Sequence, residues 1–258
     1  MLNIIVCVKS VPGIITNVTI SEGGDRLDPV VRSLYMNETD EFALEEALVL
    51  RKENGGQVTA ITVGPSSSEE MLYAAIAKGA DKAVRIDVPF ADPETTSMVL
   101  AKAIRTFNFD LILAGLESSD NLAAQVGVSV AERLGIPFIF AVTKIEMISA
   151  RKVARVTREL GGGDQQVLEV SLPALLSIQT GIQRLTLAPL AKLFQARRKG
   201  INSIAVTDHG IGKAELLKMV EWKYIEILKP KRERSTELVQ GNPKEIAPKI
   251  IAKIREAL

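Results

Sequence analysis

The chain has 258 residues, a formal net charge of +1, 47% hydrophobic and 24% charged residues, the balance of an ordinary soluble globular protein. That length suits one large domain, or one plus an appendage, with enough chain to bury a sizeable core, so global disorder is excluded. One cysteine, Cys7, excludes a disulfide scaffold. No run of ~18 apolar residues predicts a membrane span. The start, MLNIIVCVKSVPG, lacks the basic opening and cleavage site of a signal peptide, so a cytoplasmic, reducing location is expected.

In chain order, Asn3–Val8 is short, apolar and β-branched and predicts a buried strand. Residues 14–36 form an excursion with a small hairpin turning at Glu22 to Asp25. The segment 41–54 has helical spacing, with acids early and bases late, and Asn54-Gly55-Gly56 stops it. Gln57–Gly64 predicts a second strand. A helix starts at Pro65 to Glu70. Lys82–Asp87 predicts a third strand, and Asp92-Pro93-Glu94 opens another helix, with Asp92 as cap. Asp110–Gly115 predicts a fourth strand, Asn121–Leu134 a helix and Pro137–Met147 a fifth strand. Lys152–Arg158 and Gln165–Val170, joined by Gly161-Gly162-Gly163-Asp164, predict an antiparallel hairpin. LLSIQ (175–179) is a sixth strand. From about residue 184 the regular alternation stops.

Strands alternating with helices predict an α/β fold. It is a doubly wound, mostly parallel, Rossmann-like sheet covered on both faces, with an added β-hairpin and an extended C-terminal arm. Residues 1–190 are assigned to the α/β domain and 191–258 to the arm. The charge follows that division: 17 basic against 23 acidic residues in 1–190, and 15 against 8 in 191–258. A basic arm suits an acidic partner. Its bases are scattered apart from Arg197-Arg198-Lys199 and Lys229 to Arg234, and eleven aromatics are few for a stacking platform, so no nucleic-acid partner is expected. The arm ends in a predicted helix, Pro243–Leu258, whose stripe of Ile246, Ile250, Ile251, Ile254 and Leu258 needs a covering surface.

Ligands of open parallel sheets lie beyond the carboxyl ends of the strands, where the strand order reverses. Four segments project there: Val8 to Ser10, Met36 to Asp40, Thr62 to Pro65 and Ala114 to Asn121. The most informative is GLESSDNLAAQVG (115–127), in which Ser118, Ser119, Asp120 and Asn121 are expected at a helix N-terminus, a natural seat for a phosphate. The plainer reading is that Ser119 or Asp120 caps the helix. No GxxxxGK[ST] and no GxGxxG after the first strand are present. Glu117 and Asp120 are the one tempting carboxylate pair, without a general-base partner. His209, the single histidine, has no neighbours at ligand spacing. No metal site and no catalytic constellation are expected.

An ordered set of segments resembles the beta (small) subunit of electron transfer flavoproteins over nearly the whole length. These are VCVKSVP (6–12), MNETDEFALEEAL (36–48), TVGP (62–65), AAIAKGADKAVRI (74–86), DLILAGLESSDNLAAQVG (110–127), LPALLSI (172–178) and QARRK (195–199). The resemblance implies an adenine nucleotide in this subunit: AMP in simple carriers, a second FAD in electron-bifurcating members. The implied binding positions are Cys7, Asn37, Glu38, Thr39, Asp40, Val63, Gly115, Glu117, Ser118, Ser119, Asp120, Asn121, Leu122, Ala123, Ala124, Gln125 and Val126. Asn37 and Asp40 would serve the adenine; Ser119 to Gln125 would supply a phosphate cradle through N–H groups and the Gln125 side chain.

The redox FAD of such complexes is held mainly by an alpha subunit, toward which the arm would reach. The further implied partner is an acyl-CoA dehydrogenase-like redox protein, and membrane contact would come only through a partner. Leu190 matches the family's partner-docking leucine, but the loop lacks the PRYxxL form and is two residues longer, so Leu187 is the alternative anchor. Arg158-Glu159 with Gly162-Gly163 resembles the family's ERE-x-GG hairpin, which would bring Arg158 near the flavin. Two departures bear on the nucleotide. Glu117-Ser118-Ser119-Asp120 stands where simple carriers read Q-A-I-D, and Val126, which has no hydroxyl, stands where many have threonine. Competing readings are a stand-alone adenine-nucleotide sensor and, less well supported, an ATP-consuming enzyme.

Overall fold

The apolar run at the N-terminus forms β1, Leu2–Cys7, in the middle of a nine-stranded sheet. The computed structural model describes residues 1–13, 20, 34–88, 92–148, 152–205 and 236–257; the expected turn at Glu22 to Asp25, His209 and the basic run Lys229 to Arg234 lie outside them. The remaining elements are β2 (Ser10–Pro12), β3 (Leu34–Met36), α1 (Glu38–Asn54), β4 (Gly56–Gly64), α2 (Glu69–Lys78), β5 (Lys82–Asp87), α3 (Pro93–Ile104), β6 (Leu111–Gly115), α4 (Val126–Leu134), β7 (Phe138–Ile148), β8 (Val153–Glu159), β9 (Gln165–Ser171), β10 (Ala174–Ile178), α5 (Leu190–Lys199), β11 (Asn202–Ala205) and α6 (Pro243–Ala257).

The sheet order is β11-β5-β4-β1-β6-β10-β7-β8-β9. All pairs from β11 to β7 are parallel, and β7-β8 and β8-β9 are antiparallel. The expected α/β architecture and the added hairpin are therefore present. Gly161–Gly163 makes the tight turn between β8 and β9, with Gly162 at φ 79°. The excursion after β1 begins and ends in a second, two-stranded sheet, where β2 pairs antiparallel with β3.

The period of two along each strand sorts its side chains to opposite faces. Leu2, Ile4 and Val6 of β1, with Leu111 and Leu113 of β6, pack with Leu44, Ala47 and Leu50 of α1 and Leu72 of α2. Ile5 and Cys7, with Ile112 and Ala114, pack with Val99 and Ala103 of α3 and Val130 of α4. Both faces are thus covered, which is why these strands read as continuous apolar runs.

The sheet continues beyond residue 190. Helix α5 packs on α2, and β11 pairs with β5 in register Ser203 to Arg85. Arg85 holds that edge. Its guanidinium donates to the Gly64 carbonyl oxygen (3.0 Å), Asp87 (2.6 Å), Glu69 (3.0 Å) and Ser203 Oγ (2.9 Å). By contrast Ile250, Ile251 and Ile254 of α6 are 44%, 51% and 54% exposed, and Ile246 is half-buried. Among the described residues no helix is long and apolar enough to cross a membrane.

Replacing Arg85 with methionine leaves Glu69 and the Gly64 carbonyl without their cation. The variant is expected to lose about 2–3 kcal/mol in a urea titration and to exchange the Ser203–Ala205 amides faster; an unchanged midpoint and unchanged exchange would contradict this role.

Candidate functional site

The chain runs from β1 out through β4 to β5, then returns to β6 on the other side of β1. The strand order therefore reverses between β1 and β6, and the connections that leave them go to opposite faces, to α1 and to α4. A crevice opens between such exits.

Asp40 bridges the two exits. Its buried carboxylate accepts from the backbone N–H of Lys9, just past β1 (2.7 Å), and of Gly115, the last residue of β6 (3.0 Å). Asn37 stands at the N-cap of α1, yet its side chain does not cap the helix. Its Nδ2 donates to Thr39 Oγ1 (2.9 Å) and to the Glu117 carbonyl oxygen (2.8 Å), and its Oδ1 accepts from Ser119 N–H (3.1 Å). Thr39 Oγ1 also donates to the Glu117 carbonyl (2.8 Å). The start of α1 is thereby fastened to the loop after β6. Gly115 permits this approach, because a Cβ there would lie 2.2 Å from Asp40 Oδ1 and 2.3 Å from Thr39 Oγ1.

Burial pushes the Asp40 carboxyl up to about 7, against the pull of the Lys9 and Gly115 amides and of the Lys9 charge. Burial, and then the neighbouring Asp40, pushes the Cys7 thiol up to about 12; the side chain packs at the end of β1 in the apolar cluster under α3 and α4.

The expected helix Asn121–Leu134 is corrected at its start. Helix α4 begins at Val126 with Gln125 at its N-cap, so Ser118 to Asn121 do not stand at its N-terminus, and neither Ser119 nor Asp120 caps it. Leu122 and Ala124 sit at φ 50° and 51°, a conformation that breaks a helix. The residues before them are partly occupied among themselves, while the N–H groups of Glu117, Ser118, Asp120 and Asn121 show no acceptor among the described residues. Leu122 N–H donates to the Ser118 carbonyl, Ser118 Oγ donates to Asn121 Oδ1 (2.8 Å), and Ala123 N–H donates to the same oxygen (3.2 Å). A continuous run of bare amides lies further on. Among the described residues, the N–H groups of Ala124 to Val128 have no protein acceptor.

Of the other expected positions, Val63 is half-buried near the end of β4, and Glu38, Glu117, Asp120, Asn121 and Gln125 are exposed. Asp120 accepts from Lys9 Nζ at 2.6 Å. Lys9 was not singled out from sequence; its position directly after a buried strand was the available signal. Arg158 donates to Gln166 Oε1 (2.9 Å) within the β8-β9 hairpin. Among the described residues no cluster of His, Cys, Asp or Glu is arranged to hold a metal ion.

Leu187 and Leu190 are 96% and 72% exposed. The segment before them is anchored on α1. Thr186 donates through N–H and Oγ1 to buried Glu45 (3.0 and 2.7 Å), which also pairs with Lys78 (3.0 Å), while Gln183 donates to Glu46 (2.8 Å).

These features define a doubly wound α/β protein in which the exits of β1 and β6, where a ligand of such a sheet is expected, are braced by the start of α1. Residues 32–209 match the electron transfer flavoprotein domain. The chain is 32% identical to the electron transfer flavoprotein subunit beta of Methylophilus methylotrophus, with 99% of this chain and 98% of the relative covered. It is 33% identical to the subunit of the same name from Thermoanaerobacterium thermosaccharolyticum, covering 98% of each. It is 31% identical to the protein FixA of Azotobacter vinelandii, covering 97% and 93%. The chain belongs to the electron transfer flavoprotein beta-subunit family.

Two expected outcomes follow from the brace. Gly115→Ala forces Asp40 and Thr39 away from β6 and lowers stability by about 2–4 kcal/mol in chemical denaturation; a wild-type midpoint would contradict the contact. Asp40 has its folded pKa raised, so it contributes stability in full below about pH 4 and loses that contribution as pH rises through about 7. Unfolding measured from pH 4.5 to 8 is expected to depend less on pH in Asp40→Asn than in the wild type, and superimposable profiles would contradict the shift.

Proposed function

We propose that this chain is the beta subunit of a heterodimeric electron transfer flavoprotein. It binds the adenylate part of AMP or of a second FAD in the β1/β6 crevice. It helps carry electrons between the flavin of the complex and an acyl-CoA dehydrogenase-like or other redox partner. The supporting observation is the run of unpaired amides from Ala124 to Val128, which follows directly on a loop fixed by Asn37, Thr39 and Asp40. Such amides suit phosphate oxygens. The residues fit the group in kind: Gln125 offers an exposed amide side chain, whereas Val126 offers only its N–H.

When bound, a flavin supplies the redox chemistry. This chain's residues bind and orient the nucleotide, and none is proposed to make or break a bond. Bifurcating and simple transfer both remain within the proposal, since either nucleotide needs the same adenylate seat. A reducing cytoplasm suits the buried free thiol of Cys7, and membrane contact, where it occurs, comes through a partner.

The subunit reading is favoured over a stand-alone nucleotide sensor by the apolar surface this chain leaves uncovered. Leu238, Ile250, Ile251 and Ile254 are exposed at one place, and Leu187, Leu190 and Phe194 at another. Patches of this kind mark interaction surfaces. An alpha subunit is proposed to cover the first and a redox partner to dock at the second, with Leu187 or Leu190 as anchor.

Co-expression with a candidate alpha subunit is expected to give a 1:1 complex that retains flavin. Denaturing extraction then reads either one FAD and one AMP, or two FAD, per heterodimer. A homodimer that binds nucleotide alone and never joins an alpha subunit would contradict the proposal.

A further inference from the structure

We propose that Lys9 is a specificity-determining residue of the crevice, the group that lets it accept a phosphate-bearing ligand; this rests on the adenine-nucleotide reading above. The loop after β6 carries two acids, Glu117 and Asp120. An anionic ligand seated on the amides of Ala124 to Val128 would lie a few residues beyond them, and like charges at such range oppose binding. Lys9 answers this from the other strand exit. Its Nζ lies 2.6 Å from Asp120 Oδ1 and 3.1 Å from Ser118 Oγ.

The ammonium is held from below. The backbone N–H of Lys9 donates to Asp40, and its carbonyl oxygen accepts from Asn37 N–H (2.9 Å). The root of the side chain is therefore part of the brace between the two exits. From Nζ the hydrogen bonds continue outward through Ser118 Oγ to Asn121 Oδ1 and the Ala123 amide. This chain ends directly before the positive-φ residue Ala124, the first of a continuous run of unpaired amides.

As a stability element the pair is worth little. The Lys9 and Asp120 side chains are 41% and 26% exposed, and such pairs contribute about 0–1 kcal/mol. Their value lies in the field over the loop. With Lys9 present, Asp120 is neutralised; without it, a phosphate meets both acids uncompensated. Adenosine carries no such charge, so the residue sorts nucleotide from nucleoside.

The test is calorimetric titration of the full chain, stripped of nucleotide, with AMP and with adenosine. Lys9→Met is expected to weaken AMP about tenfold while adenosine affinity stays within about twofold. Adding Asp120→Asn to that variant is expected to restore most of the AMP affinity. Retained adenosine binding shows that the variant keeps its fold. Equal weakening of both ligands, unchanged AMP affinity, or no restoration by Asp120→Asn would overturn the role of Lys9. Wild-type chain that binds neither ligand would instead overturn the nucleotide reading on which it rests.

Discussion

A single buried carboxylate holds the functional end of this sheet together. Asp40 accepts one backbone N–H from the exit of β1 and one from the exit of β6, the two strands between which the order reverses. Ionised carboxylates are costly to bury, and this one sits where burial has driven its carboxyl up to about 7. The cost is offset by two amide donors that have no other partner at the ends of their strands. Asn37 and Thr39 extend the fastening to Glu117 and Ser119. Much of the loop after β6 is fixed by side chains from the first turn of α1.

Fixing one stretch of that loop leaves the next free. The side chains of Ser118 and Asn121 hold each other and the Ala123 N–H, and Leu122 and Ala124 take left-handed conformations. Helix α4 starts only at Val126, with its first amides unpaired. Polar groups left open beside a rigid frame are preorganised for a ligand, because little further ordering opposes binding. A frame with these properties serves a subunit that positions a cofactor and leaves the chemistry to it.

Most of the sheet was readable from the order of residues. β1, β4, β6 and β10 are apolar runs because both faces are covered, and Gly55 ends α1 as expected. The start of α4 was not readable. Asn121, Leu122, Ala123 and Ala124 carry no glycine or proline to announce left-handed backbone, and Leu and Ala favour helix; the tertiary fastening of residues 117–119 overrides them. The α5-β11 unit was hidden for a different reason. Among the described residues of α5 only Ala196 is buried, its apolar Leu190 and Phe194 being exposed, and β11 is a polar edge strand held by Arg85 and Ser203, so neither shows the buried apolar run of the inner strands. In the site itself, Asn37, Thr39, Asp40, Gly115, Glu117 and Ser119 were identifiable by resemblance to the family, but Lys9 and the bonds that join them were not. Asp40 reads as a helix-start acid that complements the dipole, and its bond to Gly115, 75 residues away, is a product of topology.

The central claim is that an adenylate rests on the amides that follow β6 while α1 braces the loop before them. The most direct measurement is a backbone amide NMR titration of the full chain with AMP. The account predicts that the largest shifts fall on Ala124 to Val128, with smaller ones at Asn37 to Asp40. Saturable shifts confined to other segments would contradict it.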